Sequence, residues 1–300
     1  GADEFTPPAD DAGITNVVSP SVNYCPGSNS VTVTIQNFGT ATLTTATINW
    51  TINGVTQTPF SWTGSLAAGA NANQALGPVT LANGTSSFKV WTTSPNGNSD
   101  PNALNDTAYR NNVPSMLSGT YTIGGASPNY ATIAAATADL SLRGLCGAVT
   151  FNIRTGVYNE RLTIPNIATA SATNTIKFTS ETGVANNVIL SLPTSAAADN
   201  GIVYLNGARF VTIDKITVIR TGLVTNSYSS LVEIGNNSYN NNVTNCRLFN
   251  VASSGTGTLH YGIWSQNGTD TGNVFMNNTI KYGNSSVYFS VGTSEGGNQF

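Results

Sequence analysis

Charge is what this chain has least of. Only 8% of its 300 residues are charged, 11 Lys and Arg against 14 Asp and Glu, for a net charge of −3; ordinary soluble domains carry roughly 25%. The few basic residues form no run, which argues against nucleic acid and anionic membrane as partners. Solubility must then rest on the Asn, Thr, Ser and Gly that fill outward positions. Histidine occurs once, as His260, and the three cysteines, Cys25, Cys146 and Cys246, lie far apart without metal-ligand spacing. That pattern predicts no metal centre and no disulfide framework, and an odd count leaves at least one thiol free. Uninterrupted apolar runs of about 18 residues are also missing, so no membrane span is expected.

What the chain does have is a repeat. Val211-Thr-Ile-Asp-Lys-Ile216, Val243-Thr-Asn-Cys-Arg-Leu248 and Phe275-Met-Asn-Asn-Thr-Ile280 follow one another at 32 residues, with Asn241, Asn273 and Asn298 two positions ahead of Val243, Phe275 and Phe300. A repeat of 20–50 residues with apolar ends is the mark of a solenoid. The middle of each copy reads as a bend, and Asn tolerates the left-handed backbone a bend needs. Asn245 and Asn277 are thus predicted to occupy equivalent bends of neighbouring coils. This alignment also sets Asp214, Cys246 and Asn278 in one column, and Lys215 with Arg247 in another.

Residues 1–9, with Pro7-Pro8, read as a leader or linker. From 10 to 115 short alternating segments predict a β-sandwich: Val31, Val33 and Ile35 share a face, as do Ile48, Trp50 and Ile52, and Asn53-Gly54 supplies a tight hairpin turn. A parallel β-helix is predicted over 118–300, with roughly six to eight coils of about 25–30 residues. One amphipathic helix is expected near 131–142, where Ile133, Ala136 and Leu140 fall on one side and could cover the open end of the first coil. The fold class is therefore all-β, a sandwich followed by a solenoid with one capping helix. The chain ends at Phe300 just as another repeat begins. That predicts an amino-terminal piece of a longer protein, whose exposed solenoid end would favour end-to-end self-association.

Asp11-Ala-Gly-Ile14, Ile35-Gln-Asn-Phe-Gly39, Leu66-Ala-Ala-Gly69 and Asn102-Ala-Leu-Asn-Asp106 resemble the bacterial adhesion-related immunoglobulin-like family called CARDB, across about a third of the chain. The resemblance implies a spacer or binding module without catalytic residues. Val149-Thr-Phe-Asn-Ile-Arg-Thr-Gly-Val-Tyr-Asn-Glu-Arg-Leu-Thr-Ile164 resembles the opening of pectin-esterase-like and pectate-lyase-like β-helices, which implies a right-handed winding. Tyr121-Thr-Ile-Gly-Gly-Ala-Ser-Pro-Asn-Tyr-Ala-Thr-Ile133, with Gly144-Leu-Cys-Gly-Ala-Val149, is similar to β-helix modules of large secreted surface proteins of the Bacteroidota. Such proteins commonly leave the cell by the type IX route. A secreted or cell-surface location follows from the resemblance.

Polysaccharide hydrolysis or de-esterification needs two carboxylates close enough to share acid, base or nucleophile roles. The solenoid offers Asp139, Glu160, Glu181, Asp199, Asp214, Glu233, Asp270 and Glu295, no two of them at matching positions of adjacent repeats, and the Asp-bearing motifs of esterases and polygalacturonases find no match. A lyase would need a calcium cage and a base; Lys215 and Arg247 lack the cage and are expected to diverge into water. No catalytic residue and no cofactor is assigned. Asn96-Gly-Asn-Ser-Asp100 is the one loop with calcium-like alternation of oxygen ligands, and it is expected to be an Asn-rich turn. Asp106-Thr107-Ala108 matches a short Bacteroidota glycosylation pattern, making Thr107 a candidate O-glycosylation site. Trp264, Tyr282 and Tyr288 are candidates for stacking on sugars. The expectation is a noncatalytic surface or adhesin component that contacts glycans or surface proteins. The alternative is a lyase, esterase or hydrolase acting on acidic polysaccharide.

Overall fold

The computed structural model describes residues 7–194, 201–222, 228–252, 259–266, 269–289 and 296–300. The chain divides into two compact units, Gly1–Met116 and Leu117–Phe300.

The first unit is built from eight strands: β1 (Ala12–Ser19), β2 (Gly27–Asn37), β3 (Leu43–Ile52), β4 (Val55–Thr56), β5 (Phe60–Leu66), β6 (Asn71–Leu81), β7 (Thr85–Thr93) and β8 (Thr107–Pro114). They pair antiparallel into two sheets, β1-β2-β6 and β4-β3-β7-β8, with β5 also on β3. Strict alternation explains the sandwich. Val31, Val33 and Ile35 of one sheet and Ile48, Trp50, Phe88 and Val90 of the other are buried in one core, each worth about 1.5–3 kcal/mol of transfer free energy for a fully buried large side chain. Asn53 and Gly54 have φ of 51° and 80°, the left-handed pair that a two-residue turn between twisted strands requires. Pro8 and Ala9, read from sequence as the end of a linker, already belong to this unit, because their carbonyls accept from Thr40 and Ala41.

The second unit opens with β9 (Leu117–Ile123) and α1 (Ile133–Arg143). The Thr132 hydroxyl caps α1 by accepting from the Ala135 amide at 3.0 Å, and Ile133, Ala136 and Leu140 sink into the solenoid core. Among the described residues five turns follow, each with three strands. They are β10 (Leu145–Ile153), β11 (Gly156–Tyr158) and β12 (Leu162–Pro165); β13 (Ile176–Ser180), β14 (Val188–Pro193) and β15 (Val203–Asn206); and β16 (Val211–Asp214), β17 (Thr217–Thr221) and β18 (Tyr228–Gly235). The last two are β19 (Asn242–Thr244), β20 (Arg247–Phe249) and β21 (Leu259–Gln266), then β22 (Val274–Met276), β23 (Thr279–Lys281) and β24 (Ser285–Phe289). Like strands of successive turns pair in parallel into three sheets. Five turns rather than six to eight reflect coils lengthened by loops between the strands.

The register differs from the sequence alignment at one step. Ile213, not Val211, pairs with Val243, which then pairs with Phe275. A slip of two residues keeps every side chain on the same face, so an apolar pattern of period two cannot detect it. The columns change accordingly. Asp214 stands beside Thr244, not Cys246, and Arg247 lies between Thr217 and Thr279, away from Lys215. Lys215, Asn245 and Asn277 have φ of 54°, 54° and 56°, and the Asn277 amide donates to the Asn245 side-chain oxygen at 3.4 Å.

At the corners, side-chain oxygens of one turn cap backbone amides of the turn before. Asn241 accepts from the Val211 N–H at 3.0 Å, Asn273 from Asn241 at 3.1 Å, and Asn298, 25 residues on, from Asn273 at 2.9 Å. Their amide groups donate in turn to the carbonyls of Ala208, Ser238 and Asp270. Ser238 and Asp270 make a second such column, accepting from the amides of Ala208 and Ser238, and Asn278 caps Cys246 at 2.9 Å.

Cys25 takes part in a disulfide and so does Cys146, contrary to the expectation from spacing, and Cys246 is free and buried. Disulfides depend on Cα separations of about 4.4–6.8 Å in the fold, which separation along the chain does not report. Burial pushes the Cys246 thiol up to about 12, so it stays protonated.

Asn273 is fully buried and bonded on both sides of its amide. Asn273→Ala should therefore cost about 2–4 kcal/mol in urea unfolding, because it strands buried donors and an acceptor. Asn277→Gly should cost less than about 0.5 kcal/mol, since glycine accepts the same positive φ without strain. Equal losses would show that the corner ladder is not what holds the turns.

Candidate functional site

The described carboxylates of the solenoid are each committed to a local contact. Asp139 accepts from the Tyr130 hydroxyl at 2.6 Å and pairs with Arg143 at 3.0 Å. Glu160 accepts from the Ala134 amide in the first turn of α1 at 3.0 Å, and Glu181 meets Arg154 at 3.4 Å. Buried Glu233 accepts from the Gly201 amide at 2.8 Å and lies 3.5 Å from Arg161. Asp270 accepts from the Ser238 amide and the Ser265 hydroxyl, both at 2.7 Å, while burial raises its pKa. Asp199 and Glu295 lie outside the described residues. Arg247 stacks its guanidinium 4.8 Å from the Phe249 ring, and His260 is buried.

Aromatic side chains gather on one face. Tyr204, Glu233, Trp264 and Tyr288 occupy one column across β15, β18, β21 and β24. Arg161 lies over the Tyr204 ring at 5.2 Å. The Tyr261 and Tyr288 rings stack at 4.8 Å, with Trp264 5.5 Å from Tyr261. Tyr282 and Tyr288 are exposed and Trp264 is half-buried.

A converging acidic group occurs in the sandwich instead. Oxygens of Asp11, Asp100 and Asp106 all lie within 4.8 Å of one another. Asp11 immediately precedes β1, Asp106 immediately precedes β8, and Asp100 lies in the loop between β7 and β8. Asp100 is held by the amides of Ala12 at 3.0 Å and Asn102 at 3.1 Å. The Asn105 amide donates to both Asp11 oxygens, at 2.9 and 3.2 Å. Burial first, then the nearby charges of Asp100 and Asp11, pushes Asp106 up to about 6. In the sequence, Asp11 and Asp106 lie in segments that carry the CARDB resemblance and Asp106 also opens the glycosylation pattern, but nothing local signals that they meet Asp100.

The loop at 96–100 is a turn, as its composition suggests. The Asn96 side-chain oxygen accepts from the Thr44 amide at 2.8 Å and hydroxyl at 2.9 Å, and Asn96 and Asn98 donate to Asp10 at 2.6 and 2.7 Å. Only Asp100 turns toward the acidic group. Thr107 begins β8 half-buried, next to buried Asp106.

No family model matches the chain, and neither does any curated protein. Similar solved structures include the CARDB domain of a Pyrococcus furiosus protein in complex with di-metal ions, at 17% identity, covering 38% of this chain and 94% of that one with a TM-score of 0.31. They also include a family 28 exopolygalacturonase of Yersinia enterocolitica, at 10% identity, covering 94% of this chain and 66% of that one, again with a TM-score of 0.31. Likenesses this distant assign no activity.

Asp214 carries the solenoid's clearest pH linkage. Burial raises its pKa, but hydrogen bonds from Asn245, Lys177 and Thr244 outweigh burial and hold it below the ordinary value. A carboxylate with a lowered folded pKa stabilises above its unfolded value of about 3.9 and loses that contribution as pH falls through the folded one. Wild type should thus exceed Asp214→Asn in unfolding free energy at neutral pH, and the gap should close below about pH 4. A gap that is constant with pH would refute the linkage.

Proposed function

We propose that the chain is a noncatalytic component of an extracellular or cell-surface protein, in which the solenoid is a stiff scaffold presenting a glycan-contacting face and the sandwich is an accessory module. The observation that carries this is the commitment of each described solenoid carboxylate to a helix cap, an ion pair or a corner amide. A group held that way is not poised to exchange protons with a substrate. The disulfide-bonded Cys25 and Cys146 suit an oxidising compartment, and the low charge suits a stacked, hydrogen-bonded surface exposed to solvent.

The glycan-contacting face is the column that includes Trp264 and Tyr288, where flat rings and Arg161 offer stacking and hydrogen bonding to sugars. The polysaccharide class proposed for this face is an acidic one, with Arg161 contributing from its place beside Glu233 and over Tyr204. The competing activity is cleavage or de-esterification of such a polysaccharide, and both are decided on the same purified chain.

Incubation with polygalacturonate, methyl-esterified pectin or alginate should release no reducing ends, unsaturated product or methanol above the blank. The same polysaccharides in native gels should retard the chain, and Tyr288→Ala should weaken that retardation at least about threefold, as expected from losing one stacked ring. Product release that Glu233→Gln abolishes would replace this proposal with the enzyme.

A further inference from the structure

We infer that Asp11, Asp100 and Asp106 form a calcium-binding site in the sandwich unit. Three like charges are held within 4.8 Å, and no ion pair among the described residues includes any of them. Proximity alone would not distinguish a site from a strained corner. The separate observation is that Asp106, 8% exposed, brings a carboxylate oxygen into this group while its buried Oδ1 has no hydrogen-bond partner. The Asn105 side-chain oxygen is likewise buried and unpartnered, although its amide nitrogen is fixed by two bonds to Asp11. Buried acceptors are nearly always paired. An orphan buried carboxylate oxygen beside two further carboxylates is a set of acceptors that lacks a positive partner.

The chemistry of the set points to a hard cation. All candidate ligands are oxygens, which excludes the nitrogen and sulfur preference of zinc or copper. Calcium takes oxygens at about 2.3–2.6 Å, so ligands on opposite sides of one ion stand about 5 Å apart, which the observed span satisfies. Magnesium at about 2.0–2.1 Å demands a tighter octahedron and surrenders its waters reluctantly.

The backbone is shaped for this approach. A Cβ on Gly13 would lie 2.2 Å from the Asn105 carbonyl oxygen, so a glycine there lets the 102–106 segment close onto the start of β1. The Asp106 carbonyl, in turn, accepts from the amides of Ile14 at 3.0 Å and Thr92 at 3.3 Å. These bonds fix the position of the Asp106 carboxylate without using it.

The test takes the 300-residue chain, stripped with chelator, through calorimetric titration with CaCl2 and with MgCl2, and through thermal unfolding in each. Calcium should bind and raise Tm by roughly 5–15 °C at a hundredfold excess over Kd. Asp106→Asn should lower calcium affinity at least about tenfold. In chelator the same variant should unfold at or above the wild-type temperature, because it removes a buried charge from beside two others; a purely structural role for Asp106 would lower Tm in both conditions. No calcium heat and no Tm shift in wild type, an undiminished response in Asp106→Asn, or an equal response to MgCl2 would each overturn the assignment.

Discussion

Strands of a parallel solenoid satisfy one another's backbone groups, but at each corner the chain leaves the sheet and its amides need a different partner. Burial makes that need acute, since an unpaired amide away from water costs as much as a lost hydrogen bond. Here the partner is a side-chain oxygen one turn along: Asn241, Asn273 and Asn298 in one column, Ser238 and Asp270 in another, and Asn278 in a third. The same residue that turns the chain also joins it to the previous coil. This explains a composition rich in Asn and Ser better than solubility alone does, because several of these polar groups are buried.

The scarcity of charge follows from the same construction. Carboxylates in a stack of nearly identical coils would fall above one another and repel, so the solenoid places its few at positions where a cap or a cation is fixed beside each. Asp214 draws on four donors from the turns on either side of its own, Lys177 and Thr179 from the turn before and Thr244 and Asn245 from the turn after. The sandwich departs from this rule. Its three carboxylates converge with amides donating to Asp11 and Asp100, while the Asp106 Oδ1 is buried without a partner, an arrangement that raises the Asp106 pKa. Local conflict of this kind in an otherwise consistent fold is where function is to be sought.

Much of the architecture was legible in the residues themselves. The alternation of Val31, Val33 and Ile35 marked a strand, Asn53-Gly54 marked a turn, and Ile133, Ala136 and Leu140 marked the helix within two residues at its start. The 32-residue interval from Val243 to Phe275 is real. Such features are local, or they repeat, and a single chain displays both directly.

What only the tertiary structure decided depends on distance through space. The step from Ile213 to Val243 differs from the next one by two residues, invisible to a pattern of period two, and it is fixed instead by which corner amide each asparagine reaches. That shift separates Lys215 from Arg247. Cys25 and Cys146 are oxidised although nothing in their spacing announces it. Asp11 and Asp106 stand just ahead of the first and last strands of the sandwich and Asp100 in the loop before the last, and their meeting is set by the pairing of sheets and by the absence of a side chain at Gly13. Sequence by itself determined the periods, the turns and the kind of core; the convergence of charges was decided by packing, because carboxylates brought together from opposite ends of a domain leave no local trace.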